Sequence, residues 1–172
     1  MNVTIENLLT RRSIRKYTSQ PVGDAELKQI LEAGTYAPTG RNLQSPIIIA
    51  IRNPEEIKVL SKLNAQVMGS DSDPFYGAPA VLVVLADAQS RHICYDGALV
   101  MGNLMNAAHA LGLGSCWIHR AKEVFESEEG KALLKKWGVE GDYVGVGNCI
   151  VGYPDEKPEA KPRKENYVYY VD

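Results

Sequence analysis

The amino-acid sequence predicts one α+β domain over residues 1–172. Three observations carry that expectation. Two runs, "IIIAI" at 47–51 and "AVLVVLAD" at 80–87, are continuously apolar and rich in β-branched residues, as buried strands are. Segments with apolar residues at helical spacing alternate with them. No repeat or linker divides the chain, and 172 residues suffice for one well-buried core.

The elements follow in order. "TIENLLTRR" has Ile5, Leu8 and Leu9 at helical spacing, with Thr4 as the expected N-cap. Pro21 and Gly23 mark a turn, and "DAELKQILEAGTYA" is a helix capped by Asp24, with Leu27, Ile30 and Leu31 on one face. "PTGRNLQSP" is a polar loop bounded by Pro38 and Pro46. After the first strand, Asn53, Pro54 and two early glutamates are three agreeing helix-start signals. "DSDPFYGAP" is a loop before the second strand.

"HICYDGALVMGNLMNAAHALGLG" is apolar nearly all round and closes on Gly112 and Gly114, which predicts a central buried helix with a glycine cap. "SCWIH" is a short strand, "SEEGKALLKKWG" a surface helix closed by Gly138, and "YVGVGNCIVGYP" a strand whose glycines imply close approach by a neighbour. "PDEKPEAKPRKEN" has little prospect of regular structure. The terminal "YVYYV" is a strong strand sequence in search of an edge, on its own sheet or on a second subunit.

Composition excludes several classes. The chain is 45% hydrophobic and 23% charged with net charge -2, unlike a disordered chain or a general polyanion binder. No run of about 18 apolar residues suggests a membrane span, and no signal core is read at the N-terminus. The three cysteines are widely spaced and odd in number, which fits a reducing cytoplasm better than a disulfide framework. His92 and Cys94 form an H-x-C pair without a second ligand pair, so no metal site is expected. Neither G-x-S-x-G nor a phosphate-binding P-loop occurs. "GLGSCWIH" and "GVGNCIVG" lack the third glycine of the dinucleotide fingerprint. Cys116 has no identifiable partner base and reads most simply as a small buried residue.

Anion binding remains. "RRSIRKY" places Arg11, Arg12, Arg15 and Lys16 within six residues, and "KPRK" adds a cluster at 161–164. Such groups suit solvated surface, a nucleic-acid patch or a socket for one anion. Guanidinium forks and a serine hydroxyl match phosphate oxygens. In extended chain Arg11, Ser13 and Arg15 alternate to one side and Lys16 to the other, so Lys16 is expected to be free.

With those residues set out, the chain resembles the FMN-dependent nitroreductase family over nearly its whole length. "RRSIRKY" is similar to the family's N-terminal RRSxRxF/Y motif and "APTGRNLQSP" to its APSxxNxQPW loop. "GLGSCWI" is similar to the GLGTCWI turn, and "KPRKENYVYYV" to the terminal RKPLEEVVHY element. The resemblance implies a nitroreductase-like α+β fold: a central mixed, mainly antiparallel sheet flanked by helices, in an intertwined homodimer with the C-terminal strand exchanged. It implies bound FMN, with NADH or NADPH as donor. Nitroaromatic, quinone or related small-molecule acceptors would be reduced by ping-pong hydride transfer through flavin N5. A non-catalytic FMN-binding, storage or sensing module is the alternative, and a small nucleic-acid binder a third reading.

By resemblance, Arg11, Arg12, Ser13 and Arg15 hold the FMN phosphate and ribityl chain, with Lys161 and Arg163 closing from the other end of the chain. Pro38, Thr39, Asn42 and Gln44 reach the flavin from the partner subunit. Asn64 bonds the pyrimidine edge. Trp117, Ile118, His119 and Arg120 form the turn whose backbone lies against the ring near N5, with His119 as a candidate proton donor. Two departures bear on the pocket: Ile47 stands after Pro46 where the family has tryptophan, and His119-Arg120 stands where many members have glycine or glutamate-glycine.

Overall fold

A computed structural model describes residues 1–172. Helices α1 (Val3–Thr10) and α2 (Asp24–Thr35) precede strand β1 (Pro46–Ile51). Then come α3 (Pro54–Met68), β2 (Ala80–Asp87), α4 (Ile93–Ala110) and β3 (Gly114–Ile118). Two short helices, α5 (Ala121–Glu126) and α6 (Glu128–Lys136), lead into β4 (Tyr143–Gly152).

The strands form one sheet in the order β1-β2-β4-β3, and every pair is antiparallel. The expected mixed character is confined to one parallel bridge, Ser13 to Ser115. The α+β class holds.

The period-2 alternation of the central strands divides the core into two layers. Val81, Val83, Leu85 and Ile150 face one side, packed with Leu60 of α3, Val124 and Phe125 of α5 and Leu133 and Leu134 of α6. Leu82, Val84, Cys149 and Val151 face the other, against Leu27 and Ile30 of α2 and Val100, Met101 and Leu104 of α4. Burial on both faces explains why β2 reads as an unbroken apolar run.

The neighbours implied by the glycines of β4 are identifiable. A Cβ on Gly147 would sit 2.4 Å from the indole Nε1 of Trp117, and one on Gly145 2.3 Å from the Ala121 carbonyl at the start of α5. The register shifts between these two glycines, opposite Val84 and Leu85.

Several local expectations are corrected. The N-cap of α1 is Asn2, whose side chain accepts from Thr4 N–H at 2.9 Å, so Thr4 lies inside the helix. Asp24 is the first residue of α2, not its cap; its carboxylate pairs with Arg52. Helix α5 follows a left-handed Arg120 and is too short for a periodic signal. The terminal "YVYYV" forms no strand within this chain, and Tyr167 to Val171 are exposed. The reason is positional. The tail leaves β4 beside Tyr17 and β3, where Ser13 already bridges the edge, while the free edge of β1 lies across the sheet.

Helix α4 is buried on one face only, through Asp96, Gly97, Val100, Met101, Leu104 and Ala108, while Tyr95 and Leu99 are exposed, so it is not the all-round buried helix that its composition predicts. Other local expectations hold. Asn53 caps α3 with Pro54 in its first turn. Gly112 follows α4 at φ 79° and Gly138 follows α6 at φ 73°. Residues 155–166 form no helix or strand. No helix is long and apolar enough to cross a membrane.

Candidate cofactor site

The arginine motif begins where α1 ends. Its chain runs extended past the start of β3, with Ile14 N–H donating to Ser115 O at 3.0 Å. Ile14 is buried and packs on Gly114, where any Cβ would meet it at 2.8 Å. That apolar anchor fixes the register of the flanking polar residues.

The residues do not converge as simple alternation predicts. Arg12 and Ile14, not Arg11, Ser13 and Arg15, line a cavity of about 700 Å³. It is closed by His109 in the last turn of α4, by Gly112 just after it, by Ser115, and by the tail from Glu156 to Ala160. Arg12 folds back on the end of α1, donating Nη1 to Leu9 O and Arg11 O at 2.8 and 2.7 Å. Arg15 is exposed, and its backbone N–H donates to the Glu156 carboxylate. Lys16 is not free: it pairs with Asp155 at 3.0 Å. Lys161 and Arg163 lie in the exposed tail just beyond the cavity wall, Arg163 donating to Lys161 O.

Arg11 is the exception to this satisfied pattern. Its Nη1 is buried and has no hydrogen-bond partner. The Ser115 hydroxyl is likewise buried without a partner, on a residue 1% exposed. Buried guanidinium donors are normally satisfied, so an unpaired one is the donor expected of a site for a phosphate-bearing group. The residues present therefore fit FMN. The local field is positive enough to act on His109: burial and then the charges of Arg11 and Arg12 hold its imidazole below the ordinary value.

The second part of the site is the turn after β3. Trp117 packs its ring on Gly147, and its Nε1 is buried without a partner. The exposed His119 ring lies 6.0 Å from that indole. Arg120 is left-handed at φ 74°. Beneath the turn lie two asparagines, both 0% exposed. Asn64 Nδ2 donates to His119 O at 2.8 Å, and Arg120 Nε donates to Asn64 Oδ1 at 2.9 Å. Asn148 Nδ2 lies 3.4 Å from both Ile118 O and His119 O. Asn64 thus has no surface for a pyrimidine edge; its amide is engaged by the turn. Asn148 and Ser115 escaped the sequence reading. The available signal was an amide and a hydroxyl inside otherwise apolar strands, "GVGNCIVG" and "GSCWI".

The loop from Pro38 is apart from both. It precedes β1, the edge opposite β3, with two strands between them, so about 14 Å of sheet intervenes. Pro38, Asn42 and Gln44 are exposed. Thr39 Oγ1 accepts from Gln44 N–H at 3.0 Å, and Asp96 accepts from Gly40 N–H at 2.9 Å. Thr39 and Gln44 border a hollow of about 360 Å³ with Ile47, Ile48 and Val100. Ile47, in the position after Pro46, contributes an aliphatic wall there.

Known proteins resemble this chain in sequence and fold. A protein of Archaeoglobus fulgidus with the provisional name NADH dehydrogenase/NAD(P)H nitroreductase is 32% identical over 164 residues, covering 91% of this chain and 89% of its own. An NADPH-flavin oxidoreductase of Vibrio harveyi is 28% identical, covering 98% of this chain and 72% of its own. A nitroreductase of Bacteroides fragilis, solved with bound FMN, superposes with a TM-score of 0.92 at 26% identity, covering all of both chains. The Nitroreductase family profile matches residues 8–153, from the end of α1 through β4, and the chain belongs to that family.

Proposed function

We propose that this protein is an FMN-dependent oxidoreductase that draws electrons from NADH or NADPH and reduces a nitroaromatic, quinone or related small-molecule acceptor. The observation that carries the reading is the buried, unpartnered guanidinium nitrogen of Arg11 in a chain of this family. When bound, FMN would supply hydride acceptance and donation at its ring N5, with donor and acceptor taking turns at one face.

The chain's own residues have the remaining tasks. Arg11 holds the phosphate, with Arg12, Ser13 and Arg15 around it and Lys161 and Arg163 approaching along the tail. The turn from Trp117 to Arg120 supports the ring through backbone donors, while Asn64 acts from beneath and not at the pyrimidine edge. His119, exposed beside the turn, is placed to deliver a proton to an acceptor.

We propose further that the protein is a homodimer. In this reading Pro38, Thr39, Asn42 and Gln44 complete the partner's site, which accounts for their distance from their own arginines. Helix α1 buries no residue, and Ile5, Leu8, Leu9, Tyr95, Leu99 and the tyrosines of the tail are exposed. Apolar surface of that extent supports a partner.

The test is anaerobic reduction. The purified protein should show a flavin spectrum that bleaches on addition of NADH or NADPH and returns with an acceptor. Retained FMN without bleaching by either donor supports the storage or sensing alternative. A colourless protein that takes up no FMN and binds DNA or RNA with steep salt dependence refutes the flavin reading. Truncation before Tyr167 should dissociate or aggregate the dimer; an unaltered dimer refutes strand exchange.

A further inference from the structure

We infer that Asn64 is a positioning residue that sets the peptide plane between His119 and Arg120 and thereby aims the Arg120 N–H at the redox edge of the cofactor. This rests on the flavin reading above.

The orientation of the Asn64 amide follows from its partners. Arg120 Nε–H can only donate, so the amide oxygen must face it. The His119 carbonyl can only accept, so the amide nitrogen faces that. With both ends engaged and no exposed surface, Asn64 has one rotamer and one function: it holds His119 C=O toward α3.

A trans peptide is planar, with its N–H opposite its C=O. Holding His119 C=O toward α3 therefore directs Arg120 N–H away from α3. The same logic applies one residue earlier. Asn148 attracts Ile118 C=O, and the His119 N–H points the other way. Neither of these N–H groups donates to a backbone carbonyl within the chain. The turn thus presents two unpaired donors, and two buried asparagines from different elements fix their direction.

The backbone supports the same conclusion. Arg120 lies at φ 74°, a conformation unfavourable for any residue with a Cβ. Rotation of the preceding peptide is the obvious route to relief. Asn64 opposes it twice, through the carbonyl it binds and through the guanidinium of the strained residue itself. Glycine would tolerate this turn without a clasp; arginine needs one.

The experiment uses Asn64→Leu, which keeps the size of the side chain and adds no charge beside the flavin but removes both the donor facing His119 C=O and the acceptor for Arg120. The full-length protein is reconstituted with FMN. Affinity is read by fluorescence quenching, and the midpoint potential of the bound flavin by reductive titration. The expected result is FMN affinity weakened by about tenfold, together with a shifted potential. A loss of fold alone would not shift the potential of the flavin that remains bound. Wild-type affinity and potential in N64L would overturn the inference.

A second measurement needs no variant. Amide hydrogen exchange of Arg120 in the wild-type protein should slow on FMN addition, and unchanged exchange would also overturn it. Failure of the wild type to bind FMN at all is a different outcome, because it removes the flavin reading itself.

Discussion

The turn at 117–120 and the loop at 38–44 both carry non-glycine residues in the left-handed region, and the chain supports them by opposite means. In the turn, one strained residue, Arg120, is held from below by Asn64 and Asn148, both fully buried. In the loop three residues, Arg41, Asn42 and Gln44, have φ between 52° and 56°, all of them exposed. The loop is tied down by Thr39 and Asp96, and its tip by two backbone bonds, Asn42 N–H to Thr39 O at 2.9 Å and Leu43 N–H to Gly40 O at 3.2 Å, with one side-chain bond between Gln44 and Asn42 at 3.3 Å. The turn is therefore preorganised within one chain. The loop carries more left-handed residues, and no buried side chain clasps its tip, as in a segment completed by contacts outside its own chain.

The arginine motif falls between these extremes. Arg12 is satisfied by the end of α1, and Arg11 is left with an unpaired nitrogen. A structural arginine should have its donors filled; one awaiting an anion should not.

Substitutions can break the contrast. The largest effect is expected from Asn64→Ala, which strands the His119 carbonyl and the Arg120 guanidinium. Chemical denaturation should show a loss of about 2–3 kcal/mol. If the loss is under about 0.5 kcal/mol, an ordinary surface value, the turn does not depend on its clasp.

Arg11→Ala should do the reverse. Removal of an unsatisfied buried donor should leave apoprotein stability within about 0.5 kcal/mol. FMN affinity should fall about tenfold to a hundredfold, the scale of a hydrogen bond to a charged group. Unchanged FMN retention removes Arg11 from the site.

Arg41→Gly sharpens the view of the loop. Relief of a left-handed Cβ, less the entropy of glycine, should raise apoprotein stability by about 0.5 kcal/mol. A clear loss would mean that the arginine side chain, not the backbone, holds the loop.

The smallest effect is electrostatic. His109 is held below 6.5 by burial and by Arg11 and Arg12. As pH falls through that value the unfolded chain takes up a proton before the folded one does, so stability declines on acidification. An anion beside Arg11 and Arg12 would offset their charge and raise the His109 pKa. An NMR titration with and without FMN should show that upward shift, and a downward shift would place the phosphate elsewhere. Among the cysteines, burial pushes the Cys149 thiol up to about 12, with a smaller contribution from Cys116. Cys94 alone is exposed and should alone react rapidly with a thiol reagent in the native protein.

Much of this molecule is set by local rules. Two β-branched runs, Asn53-Pro54 before a helix, and Gly112 and Gly138 after helices specify their elements because strand propensity and capping depend on near neighbours. The ordered motifs at 11–17, 37–46, 112–118 and 161–171 likewise carry the family resemblance without any knowledge of contacts. Tertiary structure alone decided three things. It left "YVYYV" unpaired, because strand propensity says nothing about which edge lies within reach. It directed Arg12 to helix carbonyls and left Arg11 unpaired, because period-2 alternation ignores the helix end from which the segment emerges. It also brought Asn64 and Asn148 under the His119 carbonyl, 55 and 29 residues away in sequence. A buried amide has no local signature; its role is set by the groups that folding places against it.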